Sequence, residues 1–156
     1  MTNEKKAVLT YSDRSTGQVF ADPFAMVDAY LERYRERTGI ELERLDAKGY
    51  TMVRRGSAAV AVNVLDEHGM LLLLAHVMPV PATGREAFYR RLLELSFLAT
   101  GDASFAIDAE RDAVFVRAIR RLSGLEFEEF EDLLVAVGRV CDEWDDTLRK
   151  EFAAPT

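Results

Sequence analysis

Apolar side chains change their period twice along this chain. From Phe24 to Tyr34 they return every three or four residues, at Phe24, Val27, Tyr30, Leu31 and Tyr34, with Glu32, Arg33, Glu36 and Arg37 turned toward water. Asp22-Pro23 supplies an N-capping carboxylate and a first-turn proline, and Gly39 a stop after Thr38, so the spacing predicts a helix over 23–38. From Tyr50 the period falls to two. Tyr50–Arg55 and Ala58–Leu65 flank Gly56-Ser57, a two-residue connection with glycine first, as a type II′ hairpin turn requires. Leu65 and Met70 flank the longer turn Asp66-Glu67-His68-Gly69. A second hairpin, Ala103–Asp108 and Ala113–Arg120, is joined through Ala109-Glu110-Arg111-Asp112. Between the two strand groups, residues 84–98 return to helical spacing through Phe88, Leu92, Leu93, Leu95 and Phe97. After Gly124 comes the longest pattern: Phe130, Leu133, Leu134, Val137, Val140, Cys141, Trp144, Leu148 and Phe152 on one helical stripe.

The expected architecture is an α+β domain over 23–156: helix, three strands, helix, two strands and a long helix, with an antiparallel sheet made of two hairpin units. Residues 1–22 are expected to form an N-terminal arm or edge hairpin, with extended pieces Lys6–Tyr11 and Gln18–Phe20 around the Ser12–Gly17 turn.

The loop lengths fix a register, and the register sorts the strand residues onto two faces. Val53, Val60, Val62, Val64, Leu71, Leu73, Ala75 and Val77 share the expected core face. The opposite face collects Tyr50, Met52, Ala59, Ala61, Leu65, Met70, Leu72, Leu74 and His76, with only Arg54 and Asn63 clearly polar. In the second hairpin Phe105, Ile107, Val114, Val116 and Ala118 fall on one face and Phe115, Arg117 and Ile119 on the other. A sheet that is apolar on both sides has to be covered twice. The internal candidate for the second cover is the 84–98 helix; the external one is another molecule.

Length and composition narrow the class without naming a task. At 156 residues, 49% hydrophobic and 30% charged, the chain fits one globular domain. Its longest apolar run, Met70 to Ala75, is too short to span a bilayer, so no membrane segment and a cytoplasmic location are expected. The net charge of −7 arises in residues 125–156, which carry 10 acidic and 3 basic side chains, while the rest is balanced. Nucleic-acid binding, which needs a clustered basic surface, is disfavoured.

Candidate chemistry is sparse. Phosphate loops, nucleophile elbows, zinc-protease motifs and calcium loops are all missing from the sequence. His68 and His76 fall at a turn and a strand end, roughly 25 Å apart in the expected register, too far to share a metal. Cys141 lies on the apolar stripe and reads as a packed thiol. Asp142, Glu143, Asp145 and Asp146 spread over a helix surface rather than converging. Arg85, Arg90, Arg91, Arg117, Arg120 and Arg121 are expected to pair with carboxylates such as Glu86, Glu94 and those of the last helix. Neither a cofactor nor an enzymatic activity is expected.

Gly56-Ser57-Ala58 opening an alternating strand, Phe105-Ala106-Ile107-Asp108 before the last strand, and Asp142-Glu143-Trp144-Asp145-Asp146-Thr147-Leu148 near the end resemble the YbjN family, whose fold is that of the type III secretion chaperones. The resemblance runs from about Phe24 to Phe152, excludes the N-terminal arm, and implies a domain that commonly dimerises and binds polypeptides without chemistry. The expected function is therefore a dimeric, chaperone-like or regulatory protein-binding module. Its contact residues are expected to be Met52, Leu72, Leu74 and Phe88, serving a homodimer or a polypeptide partner, with the apolar edge at Phe115 and Ile119 left for the other. The alternative is a sensor with a small-ligand pocket between sheet and helix, using Asn63, His76 and Arg54.

Overall fold

A computed structural model describes residues 10–153. Two short strands, β1 (Ser12–Asp13) and β2 (Gln18–Val19), form a hairpin ahead of α1 (Pro23–Thr38). Then follow β3 (Tyr50–Arg55), β4 (Ala58–Leu65), a single 3₁₀ turn (Asp66–His68), β5 (Met70–Pro79), α2 (Arg85–Leu98), β6 (Ser104–Asp108), β7 (Ala113–Arg121) and α3 (Phe127–Phe152). Most of the predicted extended piece Lys6–Tyr11 lies outside the described residues.

The predicted helix boundaries of α1 are met, for the predicted reasons. The Asp22 carboxylate accepts a hydrogen bond from the Ala25 N–H at 2.8 Å, and Gly39 closes the helix at φ +69°. Gly56 stands at φ +58°, a conformation open to glycine, and the turn pairs Arg55 with Ala58.

The five long strands form one antiparallel sheet in the order β3-β4-β5-β7-β6. β7 slots between β5 and β6, so α2 and β6 lie between the two central partners in sequence. The register joins the hairpin units: Leu72 pairs with Ile119, Leu74 with Arg117 and His76 with Phe115. Beyond His76 the β5–β7 pairing slips by one at a bulge, and Val77 and Met78 are both buried. A bulge leaves backbone groups outside the ladder. Here α3 satisfies them: the Cys141 thiol donates to the His76 carbonyl (3.3 Å) and the Arg149 guanidinium to the Val77 carbonyl (2.7 Å).

One face of the sheet carries the core. Val53, Val60, Val62, Leu73, Ala75 and Val116 are inaccessible to solvent beneath α3, whose Phe130, Leu134, Val137 and Val140 are equally buried. α1 joins this layer through Tyr30, whose ring meets Phe127 and Phe130 at 5.8 Å and whose hydroxyl donates to the Leu125 carbonyl at 2.6 Å. The buried Phe127 and Leu125 precede the apolar stripe from which the helix is predicted; α3 begins a turn earlier than that stripe.

α2 does not cover the second face of the sheet. Its buried residues Phe88, Leu92 and Leu95 turn toward the same layer as α3: Phe88 meets Phe152 at 5.0 Å and the Arg91 guanidinium lies 5.5 Å from the Trp144 ring. The physical reason is the connection. From β5 the chain must reach β6 at the far edge, passing over the slot that β7 fills, and on that path only the Phe88, Leu92 and Leu95 side of the apolar arc of α2 meets the core. The second cover expected from the sequence is absent among the described residues.

Candidate functional site: an open sheet face and an exposed helix

What remains uncovered is a groove. Ala59 and Ala61 on β4 have short side chains and form its floor; Tyr50 and Met52 on β3 and Leu74, His76 and Phe115 on β5 and β7 rise beside them. The cavity is about 610 Å³, reaches Pro79, Arg111 and Ala113 at one end, and is lined by no acidic residue among the described residues. Met52 and His76 are exposed, Leu72, Leu74 and Ile119 half-buried, and Phe115 lies under the edge of the His76 ring at 5.4 Å. Asn63 anchors its amide by donating to the Leu72 carbonyl at 3.3 Å.

Five of the six residues expected at a contact surface, Met52, Leu72, Leu74, Phe115 and Ile119, share this face. The sequence separates Phe115 and Ile119 as a second edge; the β5–β7 register merges them with Leu72 and Leu74. Phe88 stands apart, fully buried in the core against Phe152, so it offers no contact surface.

A second apolar surface lies elsewhere. On the outer side of α2, Leu93 is 73% exposed, Phe97 89% and Leu98 80%, and Tyr89 and the edge-strand residue Ile107 continue the patch. Leu93 and Phe97 belong to the apolar arc legible in the sequence, but nothing there distinguishes the buried side of that arc from the bare one.

Charged groups behave largely as expected. Arg85 pairs with Asp112, Arg90 with Glu94, Arg91 with Glu151 and Arg120 with Glu129 and Asp102. Arg54, Arg117 and Arg121 are exposed and have no carboxylate within ion-pair distance among the described residues. Asp13, Glu126 and Glu128 converge closely enough to hold a cation. Arg33 and Arg14 already neutralise them, with Arg33 at 3.1 Å from Asp13 and 3.7 Å from Glu128, and Arg14 at 3.0 Å from Glu126. Cys141 has its thiol pushed up to about 11 by burial and by the neighbouring Asp145 and Asp142 carboxylates, the opposite of what a nucleophile needs. The Asp142 carboxylate accepts from the Ser57 hydroxyl, fastening α3 to the first hairpin turn.

This geometry has solved counterparts. A chain of the ExsC–ExsE complex superposes with a TM-score of 0.66 at 24% identity, over 81% of this chain and 96% of that one. The fold is that of the type III secretion chaperones. The heterodimeric ExoU–SpcU complex from the type III secretion system of Pseudomonas aeruginosa contains a chain matching at TM-score 0.61 and 14% identity, over 80% of this chain and 98% of that one. The complex of the Yersinia pestis type III secretion chaperone SycH with a fragment of YscM2 gives 0.53 at 14% identity, covering 74% and 97%. No family profile and no curated protein matches the chain. No helix among the described residues is long and apolar enough to cross a membrane.

Proposed function

We propose that this chain is a non-enzymatic, chaperone-like or regulatory module of the cytoplasm that holds segments of other polypeptides, works as a homodimer, and belongs with the YbjN-type proteins its motifs resemble. The observation that carries the reading is the sheet face itself. A one-sided antiparallel sheet alternates apolar with polar residues; here Met52, Leu72, Leu74 and Ile119 stand where polar residues belong, and no element of the described chain covers them. Uncovered apolar surface of this kind marks an interaction site. Solved proteins of the same fold stand in complexes with other polypeptides, which favours a polypeptide over a small molecule.

The test is suppression of aggregation. A chemically unfolded protein diluted into buffer scatters light as it aggregates, and the purified chain should reduce that scatter near stoichiometric amounts. Leu74→Asp should abolish the effect while leaving the thermal unfolding midpoint within a few degrees, because Leu74 is only half-buried. Failure of the wild-type chain to suppress scatter, together with a rise in its melting temperature on adding a small molecule, would replace this reading with the sensor.

A further inference from the structure

From the placement of charge around the groove, and resting on the polypeptide-holding reading, we infer that the open face selects segments in which bulky aliphatic residues are interspersed with aspartate and glutamate. The chain as a whole is acidic, at −7, so the expectation from net charge alone is the reverse.

The local field is decided by which charges share the face. Arg117 stands directly across from Leu74, and Arg54 lies beside Ala59 on the same side as Met52. Both are exposed and without an ion-pair partner among the described residues, so neither is committed to the fold. The acidic side chain on this side of the sheet, Asp108, is already engaged: it accepts the Glu110 and Arg111 N–H groups and lies 3.7 Å from the Arg111 guanidinium. The carboxylates that make the molecule acidic are concentrated on α3, behind the opposite face. A helix packed on a sheet puts its outer surface more than about 10 Å beyond the strands, which is one Debye length at 0.1 M salt. A segment lying in the groove and across the face beside it therefore meets Arg54 and Arg117 as uncommitted charges at the groove's margins, Arg111 of the lining being held by Asp108, and feels the acidic helix weakly. Apolar contact with Leu74, Met52 and the alanine floor supplies affinity; the arginines set which segments are accepted.

Binding of three fluorescent peptides to the full chain, measured by anisotropy, tests this. Each has roughly a dozen residues with the same leucines and valines, and differs only in having Glu, Gln or Lys between them. The Glu peptide should bind about tenfold tighter than the Gln peptide at 0.1 M salt, with the gap closing at about 1 M. Replacing both arginines, Arg54→Gln with Arg117→Gln, should erase the gap and leave the Gln peptide within about twofold; because both side chains are exposed, thermal unfolding checks that the variant is folded. Equal binding of all three peptides, preference for Lys, or a gap that survives the double variant overturns the charge inference. In those cases loss of the Gln peptide in Leu74→Asp shows that polypeptide holding still stands. If no peptide binds at all, the holding reading falls and this inference falls with it.

Discussion

Arg33 links three parts of the molecule through one guanidinium. It pairs with Asp13 of the N-terminal hairpin at 3.1 Å, lies 4.2 Å over the Phe127 ring of α3, and itself belongs to α1. Asp13 is 2% exposed, and burial alone would raise its pKa; the hydrogen bonds from the Ser15 hydroxyl and N–H and the charge of Arg33 outweigh that, holding it below 3.8. A carboxylate lowered in the folded state contributes stability that is fully present above its unfolded pKa and disappears as pH falls through the folded value. The window is thus below pH about 4. Thermal midpoints followed from pH about 5 to about 3 should fall more steeply for the wild type than for Asp13→Asn, which has no such proton to gain. Parallel curves would mean that the hairpin is not tied down through this group.

At the scale of elements, α3 binds the rest together, and its residues differ in how much each contributes. Phe130 is fully buried between α1 and the sheet, so Phe130→Ala should cost about 3–5 kcal/mol in denaturant unfolding, from lost transfer energy plus the cavity. Trp144 shares the apolar stripe but is only half-buried, and its indole N–H meets no side-chain or backbone acceptor among the described residues. Trp144→Ala should therefore cost clearly less than Phe130→Ala, and Trp144→Phe, which removes the unpaired donor, less again. Equal losses for Phe130→Ala and Trp144→Ala would contradict this packing. The contrast marks how far a pattern can be read. Spacing of three and four identifies α1 and α3 because a stripe facing one core repeats regularly, and turn residues such as Gly56 fix which strand residue faces which. The side of the sheet on which α2 lies is not encoded in its own spacing. It follows from where β7 pairs, a contact between residues far apart in sequence, and so Phe88 reads as surface when it is core. The groove and its alanine floor were legible as an excess of apolar positions on one face; the junction of Phe115 and Ile119 with Leu72 required the register across β5 and β7.

For the whole molecule, two bare apolar surfaces on different layers would let the proposed dimer and the proposed polypeptide contact use different atoms. Leu93, Phe97 and Leu98 on α2 lie beside the short edge strand β6, and a twofold partner seated there would cover both the helix and the free edge of the sheet. The groove would stay open in each subunit. Sedimentation at micromolar concentration should show a dimer that Phe97→Asp converts to monomer and Leu74→Asp does not; a wild-type monomer, or a dimer broken only by Leu74→Asp, would assign the surfaces the other way.

The order of elements has a consequence for how such a molecule is made. α3 follows every strand, so during synthesis all five strands leave the ribosome before the helix that buries their core face exists. The pairing of β5 with β7 also waits for α2 and β6 to be completed. For that interval the nascent sheet is bare on its open face and only partly covered by α1 and α2 on the other, and incomplete sheets with exposed apolar faces and unpaired edges are the species most prone to aggregate. A protein proposed to hold apolar segments of other polypeptides thus passes through a vulnerable condition of its own, and leaves it on one face only.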